Sequence, residues 1–216
     1  MTTLLEPPPP AATPVRRTAA DVVEALGVPA DRVLVNPAPG TATEADCARC
    51  ERPTELINAT LVEKPVNNFS SAVAFRIAFH IQAFAIGRFV VRISMGDGSF
   101  RMSGGNLRLP DVGVTRAERL SGDLMAAVPD WVPDLAIEVL NPGNTAIEME
   151  TKRTEFFAAG VSEVWEIDPL GRTARVFRGG ECVRSLGEDD TLDGGDVLPG
   201  FSLGLGGVID EAAAGQ

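Results

Sequence analysis

A single domain of mixed α/β fold, an α+β mixed sheet, is predicted by two stretches of this sequence. One is TELINATLVEK, a hairpin pattern that leads into a long apolar helix. The other runs VPDLAIEVLNP, NTAIEMETKRTEFFAAG, VSEVWEID, a strand, a helix and a strand in direct succession. At that spacing the helix is a right-handed crossover between parallel strands, so the sheet contains both parallel and antiparallel neighbours. The length agrees, because 216 residues with 44% hydrophobic and 23% charged positions can bury one sizeable core.

In chain order, residues 1–17 (MTTLLEPPPPAATPVRR) lack a basic start followed by an apolar run, so they do not read as a signal peptide. Their proline run predicts an extended, disordered tail. The domain is expected over 18–210, with 211–216 as a flexible C-terminus. Thr18 caps a short helix through Leu26 that stops at Gly27, and Thr43 opens a second one with acids in its first turn. Two short strands around a tight turn follow Glu55, then a helix from Asn68 to Ile86. The apolar stretch 71–91 carries Arg76, His80, Gln82 and Arg88, which makes it a buried helix and strand rather than a membrane span.

Strands are expected at FVVRI (89–93) and NLRLPDVGV (106–114), where Pro110 marks an edge or a bulge. After the strand at 132–142, Thr145 and Glu148 form a capping box and Gly160 closes the helix. The last third, TARVFRGGECVRSL and DVLPGFSLGL, is hairpin-like and rich in glycine.

Charge narrows the function. Thirty acidic against nineteen basic residues give a net charge of −11, which counts against tight nonspecific DNA binding. Bound divalent ions would still change the local charge where a phosphate must sit. Three cysteines make no disulfide framework and fit a reducing, cytoplasmic setting. Cys47 and Cys50 form a lone CxxC, while a structural zinc needs four ligands and only Cys182 and His80 remain, both distant in sequence.

Three ionisable residues interrupt apolar patterns. Strand alternation puts Leu135, Ile137 and Val139 on one face and Asp134, Ala136, Glu138 and Leu140 on the other, so Glu138 stands mid-strand. It is either a site carboxylate or the solvent-facing residue of an edge strand, since burying it alone is costly. The same alternation puts Asp111 on the face of Leu107 and Leu109, with a turn aspartate after Pro110 as the alternative. Two carboxylates on neighbouring strands are what a Mg²⁺ site needs. Lys152 projects among Met149, Phe156 and Ala159, inside the apolar arc of its helix. It either snorkels to water or reaches the carboxylates, because its helix returns over the C-terminal end of the Glu138 strand. Arg153 lies in the same broad arc. Such a trio serves phosphodiester hydrolysis: the carboxylates hold one or two divalent ions, and lysine orients or deprotonates the attacking water.

The order of TELINATLVEK, RLPDVGV, VPDLAIEVLNPGNTAIEMETKRTEFFAAGVSEVW, the IDP turn and LDGGDVLPGF resembles the PD-(D/E)XK superfamily. Within it the sequence is similar to the bacterial restriction-endonuclease-like group found in many copies per genome, over most of the chain from Arg32 to Leu205. The resemblance implies a restriction-endonuclease-like core with flanking helices. It also implies Asp111, Glu138 and Lys152 as catalytic residues, Asp111 and Glu138 as ligands of Mg²⁺ (or Mn²⁺), and DNA as substrate. The usual Glu-X-Lys is broken, since Leu140 stands where lysine would be, and the group's lysine matches Lys152 on the next helix. Glu55 falls on an acidic position that assists the site. Asn58-Ala59 stands where the group has an Asp-Gly type turn, which concerns hairpin geometry rather than chemistry.

Three readings follow: a Mg²⁺-dependent endodeoxyribonuclease, a catalytically weak DNA-binding or protein-interaction module that keeps the fold, and a hydrolase of small nucleotides. The third lacks a glycine loop of the GxxxxGK type. A homodimer fits the exposed sheet edges expected of such a fold.

Overall fold

The structure, a computed structural model, describes residues 18–214; the tail expected over 1–17 lies outside the described residues. Capping begins the chain's order. Thr18 and Thr43 cap α1 (Ala19–Ala25) and α2 (Glu44–Cys47), each through a reciprocal box with the acid three residues on. Between them a 3-10 turn, Ala30–Arg32, places the Arg32 guanidinium on Glu148 at 2.6 and 2.9 Å and on the Gly143 carbonyl at 2.9 Å. The N-terminal elements are thereby clamped to the helix that carries Lys152.

The hairpin β1 (Thr54–Ile57) and β2 (Thr60–Glu63) turns through Asn58 and Ala59, both left-handed at φ 48° and 55°. Asparagine tolerates that region, whereas alanine pays about 1–2 kcal/mol there. The turn is pinned from outside, because the Asn58 amide donates to Asn106 Oδ1 at 2.8 Å.

Next comes α3 (Asn68–Ala85), capped by Asn67 onto the Ser70 amide. Two strands follow, β3 (Val91–Met95) and β4 (Phe100–Arg101). The strand expected at 89–93 begins later because the Arg88 and Phe89 amides still bond to the Ala85 carbonyl, prolonging the helix end. The run 106–114 is not one strand: Pro110 divides it into β5 (Leu107–Arg108) and β6 (Val112–Arg116), which belong to different sheets. The expected alternation therefore does not carry through to Asp111, which sits in the break.

The crossover is as expected. Strand β7 (Leu135–Val139) leads through α4 (Ala146–Ala159) to β8 (Glu163–Asp168), parallel to β7. Thr145 and Glu148 form the capping box, and Gly160 ends the helix at φ 98°. The hairpin β9 (Thr173–Arg178) and β10 (Glu181–Leu186) comes next, then β11 (Thr191–Asp193) paired with β12 (Ser202–Gly204). The last helix, α5 (Leu205–Ala214), passes the expected boundary at 210, so 211–214 are helical rather than a flexible end. Burial of Val208 and Ile209 holds it, and Glu211 meets His80 of α3 at 2.7 Å.

Among the described residues the strands form a six-stranded sheet ordered β10-β9-β8-β7-β6-β3 and a four-stranded sheet ordered β2-β1-β5-β4, besides the β11-β12 pair. Leu135, Ile137 and Val139 face α3 and α5 in the main core, while Ala136 faces Phe156 of α4. No helix among the described residues is long and apolar enough to cross a membrane.

Candidate active site

Strand β7 is central, flanked by β6 and β8, so Glu138 is not on an edge strand; it is 4% exposed. The register puts Val112 opposite Ile137, and the next step brings Asp111 beside Glu138: Asp111 Oδ2 accepts from the Val139 amide at 2.7 Å. The first turns of α4 return over the same end of β7. There Lys152 is buried, with its ammonium 2.8 Å from Glu138 Oε1 and 2.9 Å from Glu55 Oε1. The structure thus brings Asp111, Glu138 and Lys152 together, at the seam where the β5–β6 break joins the two sheets. Arg153 points elsewhere, pairing with Glu166 and stacking on the Phe177 ring.

Glu55 stands closer to the centre than an assisting position suggests. It comes from β1 of the smaller sheet and takes Lys152 and Arg108 as ion partners, the latter at 2.8 Å, and the Leu109 amide at 3.0 Å. Arg108, 1% exposed, is held from the other side by Glu155 at 2.5 Å. Two cations of this cluster went unseen in the sequence: Arg108 and Lys64, whose ammonium lies 2.8 Å from Asp111 Oδ1. The available signal was the one used for Lys152, a base flanked by apolar residues, as in Leu107-Arg108-Leu109.

These surroundings set the charges. Burial pushes the Glu138 carboxyl up to about 7; Lys152 opposes that rise and Asp111 adds to it. Burial works in the same direction on Glu55, but Lys152 and Arg108 overrule it and hold that carboxyl well below the usual range. For Lys152, burial disfavours the charge, yet Glu138, Glu55 and Asp111 together keep the ammonium above the ordinary lysine range. The folded state therefore holds a charged Lys152, an ionised Glu55 and a reluctant Glu138.

Stability should register that reluctance. A carboxyl raised from 4.5 to about 7 contributes stability that is complete below 4.5 and lost as pH rises through 7. Glu138→Gln mimics the neutral form. It should melt with wild type near pH 5 and above it at pH 8, by on the order of 2 kcal/mol. Glu55 titrates in the opposite sense but is common to both proteins. A melting-temperature gap that stays constant from pH 5 to 8 would show that Glu138 ionises freely.

The donor set fits a hard divalent cation. Asp111 and Glu138 offer two carboxylates on neighbouring strands, with the Lys152 ammonium 2.8 Å from Glu138 Oε1. Among the described residues no cluster of three or more His, Cys, Asp or Glu could enclose a metal, so the protein would supply two carboxylates and leave the remaining positions to water and substrate. Mg²⁺ is bound in that way. The CxxC thiols stay apart from any such cluster: Cys47 donates to the Thr54 carbonyl and Cys50 to that of Asp46.

A family model described as "Uma2: Putative restriction endonuclease" matches residues 47–206, a span holding every residue of this cluster. The chain belongs to the Uma2 family. The resemblance read from the sequence therefore holds, and the crossover, the seam and the carboxylate pair are features of a Uma2 chain. No curated protein matches it. Among solved structures it is similar to one described as "a putative nuclease belonging to DUF820 from Anabaena variabilis ATCC 29413". The TM-score is 0.69 at 18% identity, over 79% of this chain and 98% of that one. At that identity the likeness speaks for the fold.

Proposed function

We propose that this Uma2 protein is a metal-dependent endonuclease of the cytoplasm that hydrolyses phosphodiester bonds in DNA, with Asp111 and Glu138 as ligands of Mg²⁺ or Mn²⁺ and Lys152 as the third catalytic residue. The observation that carries this reading is the convergence of the three side chains, Glu138 and Lys152 buried and Asp111 half-buried, with the Lys152 ammonium 2.8 Å from Glu138 Oε1. Buried ionisable groups with displaced pKa values cluster at functional sites. A bound divalent ion would supply acidity to an attacking water and positive charge at the phosphoryl oxygens.

The remaining work falls to the chain. The Val139 amide and Lys64 hold Asp111 from two sides, fixing its rotamer before any ligand arrives. Glu55 and Glu138 hold Lys152 charged, so it serves as a donor toward the water or a non-bridging oxygen rather than as a free base. Arg108 in turn keeps Glu55 ionised and fixed, and the Leu109 carbonyl, 3.4 Å from Lys152, helps orient the ammonium.

The net charge of −11 favours the second reading, a module that keeps the fold without cutting. Supercoiled plasmid separates the two. The nuclease reading expects nicking in Mg²⁺ or Mn²⁺, none in EDTA, and loss in Asp111→Asn. Plasmid left intact under every metal condition would leave the non-cleaving module.

A further inference from the structure

Lys64 follows β2 directly and is 9% exposed, yet neither strand packing nor a helix cap explains why an ammonium is buried there. Its nitrogen lies 2.6 Å from the Leu109 carbonyl oxygen and 2.8 Å from Asp111 Oδ1. Gly96 closes over it: a Cβ at that position would stand 3.3 Å from the ammonium and 3.7 Å from the same aspartate oxygen. The Leu109 carbonyl also faces Lys152, so one backbone oxygen sits between two ammonium groups.

We propose that Lys64 is a second lysine of the active site, a positioning residue that neutralises Asp111 in place of a second metal ion, so that one divalent cation operates per chain. The inference rests on the nuclease reading above. Asp111 Oδ2 is engaged by the Val139 amide and Oδ1 by Lys64. A carboxylate oxygen accepts about two partners, so the Val139 amide and Lys64 take two of the four positions on Asp111 and leave one on each oxygen, which a single cation on the Glu138 side can occupy. Charge leads to the same count. The carboxylates Glu55, Asp111, Glu138 and Glu155 face the cations Lys64, Lys152 and Arg108. One divalent ion overturns that single negative excess, whereas a second would be forced against two buried ammonium groups without a carboxylate of its own.

The arrangement predicts an effect that a purely structural lysine would not give. Lys64 repels the cation that Asp111 binds, so removing its charge should strengthen metal binding while weakening catalysis. Mn²⁺ binding to the full chain without DNA, followed by calorimetry and by the paramagnetic signal of free Mn²⁺, should show one site per wild-type chain that Asp111→Asn loses. Lys64→Gln should bind Mn²⁺ about tenfold more tightly yet nick plasmid more slowly at saturating Mn²⁺. Lys64→Arg, which keeps the charge, should return the affinity to the wild-type value. Two Mn²⁺ sites in wild type that Asp111→Asn loses overturn the proposal whether or not Lys64→Gln folds, and so does unchanged or weaker Mn²⁺ binding in a folded Lys64→Gln. If wild type nicks no plasmid with any metal, the nuclease reading falls and this one with it; metal-dependent nicking alongside either overturning result removes the Lys64 assignment alone.

Discussion

Arg108→Met should cost about 3–5 kcal/mol in urea unfolding, because it strips one partner from a buried ion network while keeping the apolar volume of the side chain. The guanidinium is 1% exposed and bridges Glu55, itself 2% exposed, to Glu155. Glu155 is partly exposed and can turn to water, but Glu55 is committed: it also receives the Leu109 amide and Lys152. Without Arg108 an ionised Glu55 keeps only Lys152 and the Leu109 amide, and the substituted protein should recover stability when Glu55→Gln is added. The same change should disturb the site, since a Glu55 that draws harder on Lys152 pulls it from Glu138. A cost under about 1 kcal/mol, the value of a surface pair, would mean that water already reaches Glu55.

What the sequence revealed and what it hid divide along physical lines. Local signals were legible wherever capping or alternation acts within a few residues: Thr18, Thr43 and Thr145 open the helices they were expected to open, and β7 buries the alternating face read from it. Helical projection, also local, put Lys152 and Arg153 in one apolar arc, and it was the start of their helix directly after the Glu138 strand that gave Lys152 its weight. Asp111 was found partly for the wrong reason. Alternation from Leu107 implies one continuous strand, whereas the proline breaks the run and hands the aspartate to the seam between two sheets.

Glu55, Lys64 and Arg108 show where local pattern stops. Their partners lie 97, 47 and 47 positions away, from Glu55 to Lys152, Lys64 to Asp111 and Arg108 to Glu155. The pairing of the small sheet, a single Leu56–Leu107 register between β1 and β5, is what brings the first and third together. A buried base looks in sequence like any strand residue with a charge. Only the sheet pairing shows that solvent is absent and that the charge must be answered by another.

The largest effect on activity is expected from Lys152→Ala, which should lower the plasmid-nicking rate at saturating metal by about 10²–10³-fold, the usual cost of removing one preorganised donor from the developing charge. Lys152 stands between Glu55 and Glu138 with the Leu109 carbonyl behind it, so its orientation is set before substrate arrives and no neighbour can replace it. Arg153 is the control on the adjoining helical position: it is bound to Glu166 and stacked on Phe177, and Arg153→Ala should reduce stability while leaving kcat within a few-fold. Because Asp111 and Glu138, the metal ligands proposed above, remain in Lys152→Ala, Mn²⁺ should still bind it, which would place the loss in the chemical step rather than in metal occupancy. A folded Lys152→Ala that nicks within threefold of wild type would move the activation of water away from this lysine, leaving the carboxylate pair to act without it.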